Sequence, residues 1–402
     1  MPKNKRPVPR KSAASPEELD DAVTQILSEL AIAIVEQEDS ESMSDALKEK
    51  EREFHKIIKK CLQQKKDDIL YEAIDRTKYE DSSAYQFLKE TVEEAAEIVL
   101  IRREEGSSLE VNAFVIPVFV HTNGGLHEDQ SFQDQDAFLA LTDSFKEAQL
   151  ESKDATVVIV SHAYHLDEID SIAYSQLNEM VRDAAASMTG KKVGATPAIE
   201  TSVSGWPENV FTPEDPAVEL RFLLGFVLKA VDDPFYRIPD DEGAADAYFD
   251  ARAERFERWS EQVTPLVKRS FVTDDTEIEL HFLYQDLFHG GKERGMAEYF
   301  MLQMMSELNQ GLDQHGVAPD QVRGVIGPAE VRDEVVLRVN LYALQGDALI
   351  ASADKSLGAA GDLQVELLDA YDALMTMGVK SMDVAAKFDA YGTPVDVRPL
   401  ET

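Results

Sequence analysis

A single cysteine in 402 residues, Cys61, excludes an intramolecular disulfide, and no run of 18 or more apolar residues offers a membrane span. Positive charge is scarce too: 40 Lys and Arg stand against 77 Asp and Glu, a formal net charge of −37. A surface this negative repels phosphate, so nucleic acid is disfavoured as a partner except through the basic N-terminal segment. No apolar leader follows the basic start of the chain, and the lone thiol suits a reducing compartment. These absences predict a cytoplasmic protein with no membrane contact.

What is present is globular composition, with 44% hydrophobic and 29% charged residues. The chain exceeds the length at which single cores stop growing, so more than one domain is expected. Its charge is unevenly placed: residues 1–106 hold 18 Lys and Arg against 25 Asp and Glu, and the remainder 22 against 52. Such a body suits either solubility in salt or a cationic partner drawn in by its field.

The patterning predicts an α/β (mixed α+β) fold in four parts: a disordered basic tail over 1–14, a helical region over 15–106, and α/β segments over 107–270 and 271–402. Ser15, Pro16 and Glu18 read as a helix start, followed by Leu19, Val23, Ile26, Leu27, Leu30 and Ile34 at helical spacing. A second helix over 43–64 places Leu47, Phe54, Ile57, Ile58 and Cys61 on one face, which buries the thiol. Around that face it carries Lys48, Arg52, Lys56, Lys59 and Lys60. A short helix at 69–74 and a longer one over 83–103, stopped by Gly106, complete the region.

Strands are expected over 111–120, where Pro117 implies an edge or a bulge, and over 155–164. A helix between them runs through Phe138, Leu141 and Phe145, and further helices are expected at 169–188, 217–231 and 242–263. A strand from Glu277 and a Met-rich helix after Gly291 repeat the earlier order at a shift of 166 residues, superposing Gly124-Gly125 on Gly290-Gly291. An internal duplication would produce this echo, and so would chance pairs of common residues. Residues 335–351 read as a hairpin, and a last helix over 363–377 ends at Gly378. Met301 and Met304, at helical spacing, are expected in a core.

Sequence signatures of nucleotide, dinucleotide and zinc sites and of a nucleophile elbow are missing, so no cofactor is expected and no metal site is assigned. What remains is a set of polar residues at strand ends: His121, Asn123 and His127, then His162 and His165, then Asp286 and His289. Ligands of open α/β sheets bind beyond strand termini, where a histidine serves as base or metal ligand, or only satisfies a turn. His121, His127 and His289 are the candidate catalytic bases. Asn123, His162, His165, Asp286 and the loop residue Trp206 are candidate binding groups.

The C-terminal order Leu367, Leu374, Gly378-Val379, Phe388, Gly392-Thr393-Pro394 resembles the ending of an uncharacterised β-proteobacterial family of hypothetical proteins of similar length. Residues 95–125 and the Met-rich helix before Gly316-Val317 are similar to that family too. The resemblance implies a bacterial origin and a shared fold, and it carries no activity. Family members hold a cysteine-containing segment where this chain has Asp389, Ala390 and Tyr391, so a thiol or metal role does not transfer.

Three functions follow as expectations. The first is a non-enzymatic interaction or self-assembly protein, a homo-oligomer or the partner of a cationic protein, using the basic helix as interface. The second is a hydrolase-like or metal-dependent enzyme built on the strand-end histidines. The third is a small-molecule sensor with a pocket between α/β segments.

Overall fold

The computed structural model describes residues 16–38, 45–102, 108–122, 135–190, 217–271, 277–332, 334–345, 348–357 and 363–399. The expected tail, Asn123, His127 and Trp206 lie outside them. Four helices open the described chain: α1 (Pro16–Glu38), α2 (Asp45–Gln64), α3 (Asp67–Glu80) and α4 (Ser82–Glu97). Asp81 starts α4 by accepting a hydrogen bond from the Ala84 amide at 2.8 Å, which satisfies one of the donors left free at a helix start. Cys61 is buried on α2, as its position on the apolar face requires.

The first sheet is built around β2 (Ser108–Thr122). From Leu109 to Thr122 one edge of β2 pairs antiparallel with β4 (Ala217–Ala230), and β4 pairs in turn with β3 (Thr156–His165). Three short strands share the other edge: β1 (Ile98–Arg102), β6 (Asp286–Leu287) and β5 (Ile278–Phe282). Both faces are covered, so β2 is apolar on both faces from Ala113 to Val120. Val111, Ala113, Val115 and Phe119 face the core that contains α1–α4 and α7 (Tyr174–Met188). Phe114, Ile116, Val118 and Val120 face the opposite core, with Phe145 of α5 (Gln135–Glu147) and Trp259 of α8 (Glu242–Phe271).

Several local expectations change. Residues 217–231, expected as a helix, form the strand β4, because a continuous apolar run carries no period and burial on both faces decides its state. The helix expected to reach residue 103 stops at Glu97, where the β-branched run Ile98-Val99 enters the sheet as β1. The helix expected over 169–188 divides into α6 (Leu166–Asp170) and α7. Pro117 lies neither at an edge nor in a bulge but in the middle of the central strand. The side on which its donor is missing falls in the gap between β5 and β6, where the Leu283 amide donates to the Pro117 carbonyl at 2.9 Å.

Beyond the break expected near residue 271, β5 and β6 complete the first sheet. The second sheet has the order β13-β10-β7-β8-β9, in which β7 (Val322–Val331), β8 (Glu334–Ala343) and β9 (Leu349–Ser356) form an antiparallel meander. The strand β10 (Ser381–Val384) runs parallel to β7, and β13 (Arg398–Pro399) edges the sheet. Beside it β11 (Lys387–Phe388) pairs with β12 (Pro394–Val395). The shift of 166 residues carries β3 onto β7, but it carries β2 onto β5 and β6, which belong to the first sheet; the two sheets are connected differently beyond that strand.

Helix α9 (Phe288–His315) joins the two sheets. Near its start Gly291 lies against Val115, where an added Cβ would come within 2.6 Å of the valine side chain. Its second half sends Met301, Met304, Leu308 and Leu312 into a third core with β7, β8, β9 and α10 (Leu363–Met377). No helix among the described residues is long and apolar enough to cross a membrane.

The ring of Phe114 lies directly over Gly225 of β4, where an added Cβ would approach ring carbon Cζ to 2.2 Å. Overpacking at such a contact forces rotamer or backbone shifts, so Gly225→Ala is expected to cost about 1–3 kcal/mol of unfolding free energy. A fall in the urea midpoint measures it; an unchanged midpoint would contradict this packing.

Candidate functional site

The detour that Pro117 permits between β5 and β6 helps to shape a cavity of about 610 Å³ on the α8 face of the first sheet. Asn112 of β2 and Lys229 of β4 supply its floor, and Glu151 enters from the turn after α5. Tyr236 comes from the short turn after β4, Phe249 and Arg252 from α8, and Tyr284, Gln285 and Asp286 from the β5–β6 segment. Arg294 projects from α9. The site therefore draws one to three of these side chains from each of seven segments.

Its polar groups are held but not saturated. The Gln285 amide donates from Nε2 to Glu151 Oε1 at 2.8 Å, and Asn112 Nδ2 donates to Glu110 at 3.4 Å. Arg252 donates from Nε to the Tyr284 hydroxyl and from Nη1 to the Tyr248 hydroxyl, each at 2.8 Å. Lys229 pairs with Glu110 and lies 3.9 Å above the Tyr236 ring centre. Four residues that border this space each hold a buried atom with no hydrogen-bond partner among the described residues: Asn112 Oδ1, Glu151 Oε2, Gln285 Oε1 and the Tyr236 hydroxyl. Buried polar atoms are rarely left unpaired.

Burial pushes the Glu151 carboxyl up to about 7, with Arg252 and then Lys229 pulling it back. Burial also raises Tyr284. Burial lowers Arg252, but its bonds to the Tyr284 and Tyr248 hydroxyls outweigh this and leave it raised. Near neutral pH the site thus holds a carboxyl able to gain or lose a proton and a guanidinium fixed in its charged form.

The described strand-end residues do not converge. His121 lies on the face of β2 that carries Phe119, with its ring 5.4 Å from that of His281; burial first and the neighbouring His281 second lower its pKa. His165 lies across from Arg221, on the opposite face of the sheet. Its Nδ1 is 2.6 Å from Glu219 Oε1, an oxygen that also accepts from Arg221 Nε, and its backbone amide donates to Glu168 at 2.7 Å. His162 Nε2 approaches the same Glu168 at 3.6 Å, so the two histidines pair with different carboxylates. These side chains form an ion-pair group toward the end of the sheet remote from Asn112, about 20–26 Å along β2 at 3.3 Å per residue.

His289 was expected in a turn beside Asp286, but it is buried in the first turn of α9 and points away from the cavity. Its backbone amide and Nδ1 both meet Glu97 Oε2, at 3.0 and 3.1 Å. Burial lowers the His289 imidazole to about 4 and raises the Glu97 carboxyl to about 8, so the pair is held uncharged at neutral pH. Of the expected binding residues that are described, His162, His165 and Asp286, Asp286 alone borders the cavity. No group of three metal-binding side chains occurs among the described residues. Lys48, Arg52, Lys56, Lys59 and Lys60 are exposed on α2, interleaved with Glu49, Glu51 and Glu53.

Sequence reasoning passed over Asn112, Glu151, Arg252 and Gln285 because no spacing relates them. One local sign was available: Asn112 interrupts the apolar run of β2 and is 6% exposed, an expensive place for an amide without a partner.

Fold and site together define an α+β protein built on two larger sheets, with a cavity of mixed aromatic and polar lining at the first of them. The family model described as "Protein of unknown function (DUF2863)" matches residues 12–286, and the chain belongs to that family. The C-terminal motif that suggested an uncharacterised family lies beyond the matched stretch, which contains each cavity residue named above except Arg294. Neither the curated proteins nor the solved structures contain a match.

The Glu151 shift has a signed consequence. The folded chain keeps this proton up to about pH 7, whereas the unfolded chain releases it near the ordinary value of 4.5. Its favourable contribution is complete below the lower value and lost as pH rises through the upper one. Glu151→Gln is therefore expected to gain stability over the wild type across that window, by on the order of 3 kcal/mol at most. Parallel urea-unfolding stabilities of the two proteins across the window would sink this.

Proposed function

We propose that this protein is a small-molecule binding protein whose ligand occupies the cavity between β2, β4, α8 and the β5–β6 segment. The observation that carries the reading is a cavity of about 610 Å³ bordered by side chains from β2, β4, α8 and the β5–β6 segment, including Asn112, Glu151, Lys229, Arg252 and Gln285. A cavity of this size, with apolar walls and a few polar side chains, suits a ligand of metabolite dimensions. The enzyme reading draws less support, because His121, His165 and His289 have separate surroundings and His289 is committed to Glu97. Self-association remains a second reading on one observation, the exposed cations of α2 on a strongly acidic chain.

Screening polar metabolites by thermal shift tests the proposal. A ligand present at a hundred times its Kd is expected to add about 2.7 kcal/mol. Ala253→Phe, which projects a ring from α8 into the space, is expected to abolish the shift while the variant stays folded. A screen without a hit, or a shift that survives Ala253→Phe, would remove the cavity as the site. For self-association, light-scattering mass across a salt series is the check, and a salt-independent monomer would refute it.

A further inference from the structure

Two exposed helix faces carry rows of opposite charge at the same spacing. On α2, Lys48, Arg52, Lys56 and Lys60 recur every four residues, and all of them are exposed. On α8, Glu242, Asp246, Asp250 and Glu254 recur at the same interval and are exposed as well. Residues four apart are neighbours on a helix surface, so each set forms one continuous row. From first to last member a row extends about 18 Å along its helix, at 1.5 Å per residue. Glu49 and Glu53 make an adjoining row on α2, so only one side of that helix suits an acidic partner.

Little within the chain answers either row. Among the described residues none of these cations is in an ion pair, and of the acids only Glu254 is, with Arg258 at 3.9 Å. The cations stay unpaired in a chain whose net charge is −37, where carboxylates are plentiful. The fold keeps the rows apart: α2 belongs to the core on the Val111 face of β2 and α8 to the core on the Phe114 face. Their outer surfaces therefore lie on opposite sides of the first sheet and can meet only between molecules. Beside the acidic row Phe249, three residues from Asp246, is exposed and offers its ring to a Lys or Arg side chain.

We propose that α2 of one molecule docks along α8 of a second copy of this chain, with the cationic row against the acidic one. This rests on the self-association reading, to which it adds the opposing surface. Rows at four-residue spacing are inclined about 26° to the helix axis, so the two run side by side when the axes cross at about 50°. Because the surfaces differ and lie on opposite sides of the molecule, the contact is head-to-tail. Each copy then offers a free α2 on one side and a free α8 on the other, and assembly continues as an open chain or closes as a ring. Exposed ion pairs are individually weak and screened by salt, so association belongs to low ionic strength.

Charge reversal in the full chain tests the pairing. One variant carries Lys48→Glu, Arg52→Glu, Lys56→Glu and Lys60→Glu; a second carries Glu242→Lys, Asp246→Lys, Asp250→Lys and Glu254→Lys. If a fourfold variant does not unfold cooperatively on heating, Lys56→Glu with Lys60→Glu, or Asp246→Lys with Asp250→Lys, replaces it. The light-scattering mass of the wild type is expected to rise with protein concentration at about 0.01 M salt and to fall to that of one chain by about 0.15 M, as the Debye length shrinks from about 30 to about 8 Å. Each variant alone is expected to stay at the mass of one chain at low salt. An equimolar mixture of the two is expected to regain a higher mass, since each then offers the row that the other lacks. A wild type that is monomeric at every salt and protein concentration overturns both the pairing and the self-association reading. A salt-sensitive oligomer that either variant leaves intact, or two monomeric variants whose mixture stays monomeric, overturns the pairing alone.

Discussion

The hydrogen bonding of β2 along both edges is the constraint on which the rest of the structure depends. One edge commits to β4 over nearly its whole length, and β1, β6 and β5 share the other. A strand paired on both sides and covered on both faces exposes almost no backbone, so its side chains organise two separate cores. Pro117, which cannot donate, is tolerated because the chain leaves the ladder at that point. The segment that leaves carries Tyr284 and Gln285, so the interruption of the ladder and the polar lining of the cavity share one cause.

A different balance holds the two buried acid groups. Glu97 and Glu151 are both held far from water, and burial raises both carboxyls. Glu97 is answered within the protein by the His289 amide and imidazole, whereas Glu151 has a bonded oxygen on Gln285 and a second oxygen with no partner. The first arrangement is complete and suits a structural role in seating α9 on the helical layer. The second is incomplete, and a buried oxygen left unpaired costs free energy. The buried group of His165, Glu219 and Arg221 lies between these cases, with its charges paired but His165 Nε2 and Glu219 Oε2 without a partner among the described residues, and it does not border the cavity.

Much of the fold is legible in order along the chain. The stripe of Leu47, Phe54, Ile58 and Cys61 predicts a helix with a buried thiol, and the structure has both. The alternation after Val335 predicts a hairpin that appears as β8 and β9, and Met301 and Met304 enter a core. Errors collect where local pattern is silent: the apolar run of β4 has no period, and the stretch at Ile98 has helix on one side and sheet on the other. The site was far less legible. The histidines drew attention through their chemistry, but strand alternation sets His121 and His165 on opposite faces, and His289 turned inward to Glu97.

The sequence by itself determined composition, charge, the helical opening, the alternation of helices and strands and the absence of disulfides, because each depends on residues near one another or on simple totals. Tertiary structure alone decided that residues 217–230 are a strand, that β5 and β6 belong to the first sheet, and that Asn112, Glu151, Arg252 and Gln285 meet. Those outcomes depend on pairing between segments more than 100 residues apart, such as Gln285 with Glu151 at a separation of 134. No local period or motif encodes such a meeting; it follows from which strand edges remain open once β2 and β4 have joined.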